Sequence, residues 1–289
     1  MPLAAVLSRA LKTEVTASSE RVSGGSINSC ARFDSDIGPL FVKYGEPSSL
    51  EMFQAEADGL RELTRTGAVR IPGVVAVDEL DGMAFLALEW IELRTGVRSS
   101  AELLGKGLAA QHRVTRDKFG WYRDNTIGST PQSNRDSADW VEFLREQRLR
   151  PQLELAKSNG AGTELLDSGE RLCEQLAHFF TDYRPSPSLL HGDLWAGNWG
   201  SDAYGSPVLF DPAVYFGDRE ADLAMTRLFG GFGPAFYAAY RSEWPLDAGA
   251  TSRVPLYNLY HVLNHFNLFG GAYGRQAQGM IQGLLAELA

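Results

Sequence analysis

The stretch LLHGDLWAGNWGSDAYGSPVLFDPAV, residues 189–214, places three polar groups among residues suited to burial. Asp193 and Asn198 lie five residues apart, and Asp211 follows the apolar segment PVLF, thirteen residues after Asn198. A buried carboxylate without a cationic partner is strongly unfavourable, because desolvation penalises its charge. The stretch therefore predicts a site at which a metal ion or a basic side chain neutralises the two carboxylates.

The residue types and their spacing match the catalytic loop of protein kinases, D-x-x-x-x-N followed by a second aspartate. In phosphoryl transfer a carboxylate accepts the proton of the acceptor hydroxyl, and Mg²⁺ neutralises the phosphates. Amide and carboxylate oxygens are ligands that Mg²⁺ takes. Asp193 is therefore predicted as the base, and Asn198 and Asp211 as Mg²⁺ ligands. The alternative is an aspartate that caps a helix, an asparagine in a turn and a second turn aspartate.

A lysine and a glutamate upstream favour the catalytic interpretation. Lys43 lies in the apolar strand LFVKY, and Glu56 lies on the apolar stripe of a predicted helix over residues 48–67. Taken alone, Lys43 fits a snorkelling surface residue. Glu56 needs a cationic partner on a buried face. The two residues therefore predict a Lys–Glu pair like the one that holds the phosphate-binding lysine of protein kinases.

Residues 1–93 predict a small lobe with an antiparallel sheet of about five strands and one key helix. The helix is expected to begin with a capping box formed by Ser48 and Glu51 and to end at Gly67. Gly24 and Gly25, at the first turn, would let backbone N–H groups approach a bound phosphate, although a plain hairpin turn is the better explanation when the two glycines are taken alone. Strands are predicted at 27–33, at 40–44 and on both sides of the turn at 81–82.

Residues 94–289 predict a larger, mainly helical lobe that contains the chemistry. The irregular segment 118–134, KFGWYRDNTIGSTPQSN, is long enough to predict a functional loop. Asp124 and Asn125 in this segment either bind substrate or order the loop. Asp222, at the start of a later helical run, either caps that helix or braces the catalytic loop.

Composition excludes several classes of protein. The chain has 289 residues, a net charge of −9 and only two cysteines. Nucleic acids and anionic membranes require clustered Lys and Arg, so neither is a predicted partner. The longest apolar run, residues 83–91, is too short to cross a bilayer. The N-terminus predicts a helix rather than a signal peptide. The absence of paired cysteine motifs predicts a reducing, cytoplasmic location.

The sequence resembles the fructosamine kinase, or ketosamine-3-kinase, family, within the protein-kinase-like and aminoglycoside phosphotransferase superfamily. HGDLWAGN (191–198) and FDPAVYFGDREADLAMTRLFGGF (210–232) carry this resemblance, together with DNTIGSTPQ (124–132). The resemblance implies an α+β, protein-kinase-like two-lobe fold and ATP-dependent phosphorylation of the sugar 3-hydroxyl of ketosamines. The product decomposes and releases the amine, so the implied role is protein deglycation.

The resemblance also implies roles for individual residues. Lys43, held by Glu56, would contact the ATP phosphates, and the backbone of a hinge would bind adenine. Trp195 would flank the sugar, and His265 would lie on the substrate side. The segment VSGGSIN departs from the kinase glycine-loop pattern G-x-G-x-x-G. The predicted hinge residues are Glu89, Trp90 and Ile91.

Two further patterns have simpler explanations. His261 and His265 have the i, i+4 spacing of zinc ligands, but HVLNH lacks the glutamate of H-E-x-x-H, which favours a packed helix face or substrate contacts. Cys30 lies near the glycine turn and is interpreted as a small apolar filler rather than a redox-sensitive thiol.

Two other functions compete with ketosamine phosphorylation. One is a kinase for another hydroxylated amine, such as an aminoglycoside or a choline-like compound. The other is a pseudokinase that only binds, although the presence of Lys43, Glu56, Asp193, Asn198 and Asp211 together favours an active enzyme.

Overall fold

The computed structural model describes residues 3–18, 29–94 and 98–288. Within these ranges, from the N-terminal end onward, the strands are β1 (Val15–Ala17), β2 (Ser29–Ser35), β3 (Leu40–Gly45), β4 (Val74–Leu80), β5 (Met83–Glu89), β6 (Asn125–Ile127), β7 (Thr130–Gln132), β8 (Ser188–Leu190), β9 (Trp199–Ser201), β10 (Pro207–Leu209) and β11 (Tyr215–Gly217). The helices are α1 (Leu3–Leu11), α2 (Leu50–Arg65), α3 (Arg98–His112), α4 (Trp140–Leu144), α5 (Arg150–Ser158), α6 (Thr163–Gln175), α7 (Glu220–Leu228), α8 (Pro234–Glu243), α9 (Ala250–Phe269) and α10 (Ala272–Ala286).

The chain forms two compact units. The first comprises Met1–Ser100 and Trp199–Pro212, and the second comprises Ala101–Asn198 and Ala213–Ala289. The sequence predicts two lobes, 1–93 and 94–289, and this division does not place residues 199–212 in the first unit, where the structure has them. That division stays a prediction about functional lobes.

The first unit is built on a five-stranded antiparallel sheet in the order β1-β2-β3-β5-β4. Helix α1 is present where the sequence predicts an N-terminal helix. The predicted hairpin between β4 and β5 is confirmed, and its two turn residues, Asp81 and Gly82, both have positive φ as a tight hairpin turn requires. The core on the α1 side of the sheet contains Val6, Leu7, Val15, Phe33, Leu40, Val42, Phe85 and Ala87.

Helix α2 presents the predicted apolar stripe, because Phe53, Ala57, Leu60 and Leu63 are all buried. The predicted capping box of Ser48 and Glu51 is wrong. A 3₁₀ turn over Pro47–Ser49 leads directly into α2, and its last residue has helical dihedral angles without a side-chain cap. A capping residue needs an extended backbone, which this continuous helical entry excludes. The predicted stop at Gly67 is confirmed by its φ of 60°.

A short hairpin, β9–β10, joins the first unit from far along the sequence. Backbone hydrogen bonds link Arg94 and Ser201 in both directions, with N···O distances of 2.7 and 2.9 Å. The Leu209 N–H donates to the Arg70 carbonyl at 3.0 Å. This pairing delivers the residues that follow β10 to the first unit, because the strand ends two residues before Asp211.

The second unit is mainly helical, as predicted, and the fold class α+β is confirmed. Helix α9 is its central element, with continuous burial from Leu256 to Asn264. Strands β8 and β11 pair antiparallel, and β6 pairs with β7 inside the segment that the sequence marked as a functional loop. Among the described residues, no helix combines the length and the apolar character that a membrane crossing needs.

Candidate functional site

Lys43 is a buried cation held by two carboxylates. Its Nζ donates to Glu56 Oε1 at 2.8 Å and to Asp211 Oδ1 at 2.6 Å, and its side chain is 7% exposed. Burial acts to lower the pKa of Lys43, but the charges of Glu56 and Asp211 outweigh it and raise the pKa well above its ordinary value. Lys43 is therefore a permanent cation at neutral pH. The predicted Lys43–Glu56 pair is confirmed, and the contact with Asp211 was not predicted.

Asp211 has an unusual backbone conformation. Its φ is 55°, which places a non-glycine residue in the left-handed region. Such a conformation costs about 1–3 kcal/mol and persists only where the surroundings fix it, most often at functional sites. At Asp211 the conformation accompanies the contact between Oδ1 and Lys43.

The loop after β8 carries Asp193 and Asn198, the predicted base and the other predicted Mg²⁺ ligand. Asn198 Nδ2 donates to the Asp193 backbone carbonyl at 2.8 Å and to Asp193 Oδ2 at 3.1 Å. This hydrogen bond fixes the amide orientation and makes Oδ1 the Asn198 atom that would bind a cation. Gly192 has a φ of 83°, and a Cβ at this position would lie 2.0 Å from the Ala213 carbonyl oxygen. The loop therefore needs glycine immediately before Asp193.

Asp222 braces the loop that carries Asp193 through hydrogen bonds to its backbone. Its carboxylate accepts from the N–H groups of His191 at 2.7 Å and Gly192 at 2.9 Å, and from His112 Nε2 at 3.1 Å. Burial acts to raise the pKa of Asp222, but the hydrogen bond from His112 and the other donors lower it below its ordinary value. Burial lowers the pKa of His112, so a neutral imidazole donates to Asp222. Of the two roles the sequence allowed, these contacts support bracing, because the N-cap of α7 is Arg219.

Asp222→Asn is expected to lower the free energy of unfolding at neutral pH by about 2–3 kcal/mol, because a charged acceptor of several hydrogen bonds is lost. A carboxylate with a lowered pKa contributes this stability above its ordinary pKa of 3.8, and the contribution disappears as the pH falls toward the lower folded-state value. Urea unfolding of the wild type and the variant at several pH values measures the difference. A difference that stays constant below pH 3.8 would contradict the assignment.

The predicted hinge residues follow the end of β5. The Glu89 N–H donates to the Gly73 carbonyl at 2.8 Å, and the Trp90 N–H donates to the Pro39 carbonyl at 3.1 Å. Within the described part of the chain, Ile91 is the member of the hinge whose N–H has no protein acceptor. Of the three N–H groups, that of Ile91 is therefore the one suited to a ligand. The other predicted nucleotide contacts, Gly24 and Gly25, lie outside the described residues.

Trp195 belongs to a partly exposed aromatic cluster, defined here as Trp195, Phe229, His265, Phe269 and Tyr273. The Trp195 and Phe229 ring centroids lie 6.1 Å apart. The His265 ring lies 5.1 Å from Phe229, 5.7 Å from Phe269 and 5.1 Å from Tyr273. His265 Nδ1 lies 2.7 Å from the His261 carbonyl oxygen and donates to it, so Nε2 is the ring nitrogen that could face a ligand. The cluster presents aromatic faces and one ring nitrogen, that of His265. Its member Trp195 lies two residues after Asp193 in the sequence.

The sequence analysis missed three residues of this cluster. The tetrapeptide LFGG occurs at 228–231 and again at 268–271, and the phenylalanine of each copy contacts His265. This repeat is the signal that could have identified Phe229 and Phe269, and Tyr273 follows the second copy by two residues. A Cβ on Gly231 would lie 2.4 Å from Ala196 Cβ, so the first copy packs tightly against the loop that carries Asp193.

The remaining predicted residues, His261, Asp124 and Asn125, differ in burial, with His261 buried and Asp124 exposed. Burial lowers the pKa of His261 to about 3, which fits a packed helix position. The Asp124 carboxylate accepts from the Asn134 N–H at 2.7 Å. Asn125 Nδ2 donates to the Val214 carbonyl at 2.8 Å, and its Oδ1 accepts from Gln132 and Asn134 at 2.8 and 2.9 Å. These contacts support loop ordering by Asp124 and Asn125, and substrate binding by either residue stays a prediction.

Comparison with solved structures defines the class of the protein. An aminoglycoside phosphotransferase with 15% sequence identity superposes with a TM-score of 0.64, covering 99% of this chain and 98% of that chain. The fold is therefore that of the protein-kinase-like phosphotransferases, with the Lys–Glu pair of that class present in the antiparallel sheet unit.

The family follows from closer relatives. The sequence model described as fructosamine kinase matches residues 2–287, so the chain belongs to the fructosamine kinase family and is a phosphotransferase. A probable ketoamine kinase of Synechocystis sp. is 43% identical over 90% of this chain and 88% of that protein. A chloroplastic protein-ribulosamine 3-kinase of Oryza sativa subsp. indica is 41% identical over 98% of this chain and 83% of that protein. A putative fructosamine-3-kinase of Thermobifida fusca, 34% identical, superposes with a TM-score of 0.88 over 99% of both chains.

Proposed function

We propose that this enzyme transfers the γ-phosphoryl group of ATP to the sugar 3-hydroxyl of ketosamines, as part of deglycation repair. The observation that carries the proposal is the identity of about 40% to proteins named ketoamine and ribulosamine kinases, over almost the whole chain. Those names specify a sugar amine as acceptor and, for the plant relatives, the 3-position. We also propose a cytoplasmic location, which the low cysteine content of the chain, two residues in 289, supports.

Lys43 is the proposed contact for the ATP phosphates. Its charge is held in place by Glu56, so the ammonium group is already positioned before ATP binds. The Ile91 N–H is the proposed donor to adenine within the hinge of Glu89, Trp90 and Ile91. Gly24 and Gly25 are proposed to cover the phosphates.

Asn198 and Asp211 are the proposed ligands of Mg²⁺. Their donor set fits this ion. One amide oxygen and one carboxylate are typical protein ligands of a magnesium ion whose remaining coordination positions would be filled by phosphates and water. Within the residues that the structure describes, no cluster of three or more His, Cys, Asp or Glu side chains forms a separate metal cage. When bound, Mg²⁺ would neutralise phosphate charge in the transition state.

Asp193 is the proposed general base. It accepts the hydrogen bond of Asn198 Nδ2 through Oδ2, which holds the carboxylate in one orientation. A carboxylate oxygen aimed at the sugar 3-hydroxyl would take its proton as the bond to phosphorus forms. Asp222 supports this step indirectly, because it fixes the two backbone N–H groups that precede Asp193.

The aromatic cluster is the proposed sugar-binding surface. Trp195 is 39% exposed and lies two residues after Asp193, so its ring is suited to stack against the apolar face of a sugar. His265 Nε2 would accept a hydrogen bond from a sugar hydroxyl or from the amine. Asp124 and Asn125 are proposed only as secondary contributors, because the hydrogen bonds of their side chains order the loop.

An acceptor panel tests this proposal. Purified enzyme with MgATP is expected to phosphorylate fructosyl- and ribulosyl-lysine derivatives, and mass spectrometry should detect a gain of one phosphate on the sugar. Choline and aminoglycosides serve as the comparison acceptors. Activity on an aminoglycoside without activity on any ketosamine would overturn the choice of substrate, and no transfer to any acceptor would indicate a pseudokinase.

A further inference from the structure

Arg148 is a fully buried cation with no ion-pair partner among the described residues. It lies in a π-helical turn, Arg145–Leu149, between α4 and α5. Its guanidinium carbon lies 4.0 Å from the Tyr215 ring centroid, 4.6 Å from Phe143 and 5.7 Å from Tyr260. Aromatic faces offset part of the desolvation of a cation, but an unpaired buried charge remains unfavourable. A π-helical turn is itself uncommon and is frequently found at functional sites.

The hydrogen bonds of Arg148 fix which atoms donate and which accept in an adjoining network of side-chain amides. Arg148 Nη2 donates to Asn134 Oδ1 at 2.7 Å, and a guanidinium has no acceptor atom. The Asn134 amide must therefore turn its Nδ2 the other way, where it donates to Asn125 Oδ1 at 2.9 Å. Asn125 in turn must present its own Nδ2 to the Val214 carbonyl, at 2.8 Å. One permanent donor thus sets the orientation of two successive amides.

Gln132 belongs to the same network and extends it to Ala213, the residue before Val214. Its Nε2 donates to Asn125 Oδ1 at 2.8 Å and to the Ala213 carbonyl at 3.3 Å. Its Oε1 accepts from the Tyr260 hydroxyl at 2.7 Å. The network therefore ends on two consecutive carbonyl groups, those of Ala213 and Val214.

Ala213 is in contact with the loop that carries Asp193. The Ala213 N–H donates to the His191 carbonyl at 2.9 Å. The Ala213 carbonyl lies so close to Gly192 that a Cβ there would be 2.0 Å away. A shift of Ala213 would therefore move the backbone immediately before Asp193.

We propose that Arg148 and Gln132 are positioning residues for the phosphoryl-transfer reaction. Through Asn134 and Asn125 they hold Ala213 and Val214, and through Ala213 they hold Asp193 in its reactive orientation. This inference rests on the proposed role of Asp193 as the base. It assigns a function to the DNTIGSTPQ segment, which orients the catalytic loop through Ala213, whereas Asp222 binds the N–H groups of His191 and Gly192.

Gln132→Glu is the first test, because it keeps the size of the side chain and the acceptor for Tyr260 but removes both donated hydrogen bonds. We expect kcat to fall by about tenfold or more, with the KM values for MgATP and ketosamine changed by less than about threefold. Hydrogen exchange of the peptide covering residues 188–198 should become faster, while exchange in α10 stays unchanged. Gln54→Glu, the same chemical change at an exposed position on α2, is the control and should leave kcat and exchange unchanged.

Arg148→Met and Arg148→Lys form the second test. Methionine removes the donor, so we expect the same fall in kcat and the same faster exchange of residues 188–198. Lysine still donates to Asn134 Oδ1, so it should recover most of the lost kcat if donor direction is the function of Arg148. A fall in kcat that Lys fails to recover, or that matches the loss of folded protein at the assay temperature, would indicate a merely structural role and overturn the proposal.

Hydrogen exchange also separates this inference from the proposed function. If the wild type phosphorylates no ketosamine, the proposed function fails. Exchange of residues 188–198 in Gln132→Glu and Arg148→Met then still decides whether the network holds the loop. Unchanged exchange in both variants would overturn the positioning role, whatever the substrate is.

Discussion

Asp193→Asn is expected to lower kcat by about 10²–10⁴-fold, the usual contribution of a general base. The substitution preserves shape, and the new amide oxygen can still accept the hydrogen bond from Asn198 Nδ2. The loop geometry should therefore survive, and only the ability to accept a proton is lost. MgATP affinity should change by less than about threefold, because phosphate binding is assigned to other residues. Steady-state kinetics and calorimetric titration with MgATP measure the two quantities.

Asp117→Asn is the matched control for this experiment, since Asp117 is exposed in the same unit and should tolerate the change without loss of kcat. If Asp193→Asn abolishes MgATP binding together with turnover, Asp193 has a structural role. If turnover is retained, the proton is accepted elsewhere and the proposed mechanism is wrong.

Lys43→Met is expected to lower both nucleotide affinity and stability. Removing one partner of a buried ion pair typically costs about 3–5 kcal/mol, because the other charge is left uncompensated. Two carboxylates lose their cation here, and Glu56, with a side chain 12% exposed, is more buried than Asp211, which is 36% exposed. Loss of the proposed phosphate contact should also weaken MgATP binding by about tenfold or more, which corresponds to about 1.4 kcal/mol. Urea unfolding and calorimetric titration measure these effects separately.

The double variant Lys43→Met with Glu56→Gln separates the two effects of Lys43. Neutralising Glu56 removes the more buried of the two uncompensated charges, so stability should recover in part while MgATP affinity stays low. Lys106→Met is the control, because Lys106 forms only an exposed i, i+4 ion pair with Glu102 and should change stability by less than about 0.5 kcal/mol. Unchanged MgATP affinity in Lys43→Met would show that Lys43 has only a structural role.

Local patterns in the sequence were enough to predict the elements that hold Lys43 and Glu56. A lysine in a β-prone run and a glutamate on a helical apolar stripe each violate the expected burial pattern, and together they predict their contact. The helical character of the second unit followed from 3.6-residue periodicity in the same way. The start of α2 was mispredicted, because Ser48 and Glu51 have the spacing of a capping box but a 3₁₀ turn occupies that position.

Contacts between residues distant in sequence were not predictable from one chain. Asp211 lies 168 residues after Lys43, and no local pattern indicates that its carboxylate completes the environment of that lysine. For Asp222 the sequence left two roles open, capping α7 or bracing the catalytic loop, and the long-range contacts with His191 and Gly192 decide for bracing. Arg148 was hidden for another reason: an arginine in the amphipathic run EFLREQRLRP is indistinguishable by periodicity from its exposed neighbours.

The return of residues 199–212 to the first unit also determines the order in which the protein is completed during synthesis. Domains of a nascent chain usually fold as they leave the ribosome, N-terminal first. Here the N-terminal unit must wait for a hairpin and a counter-ion that emerge only after most of the 289 residues have been translated. Until Asp211 has been translated it cannot pair with Lys43 on β3, so the N-terminal unit reaches its full set of contacts only late in synthesis.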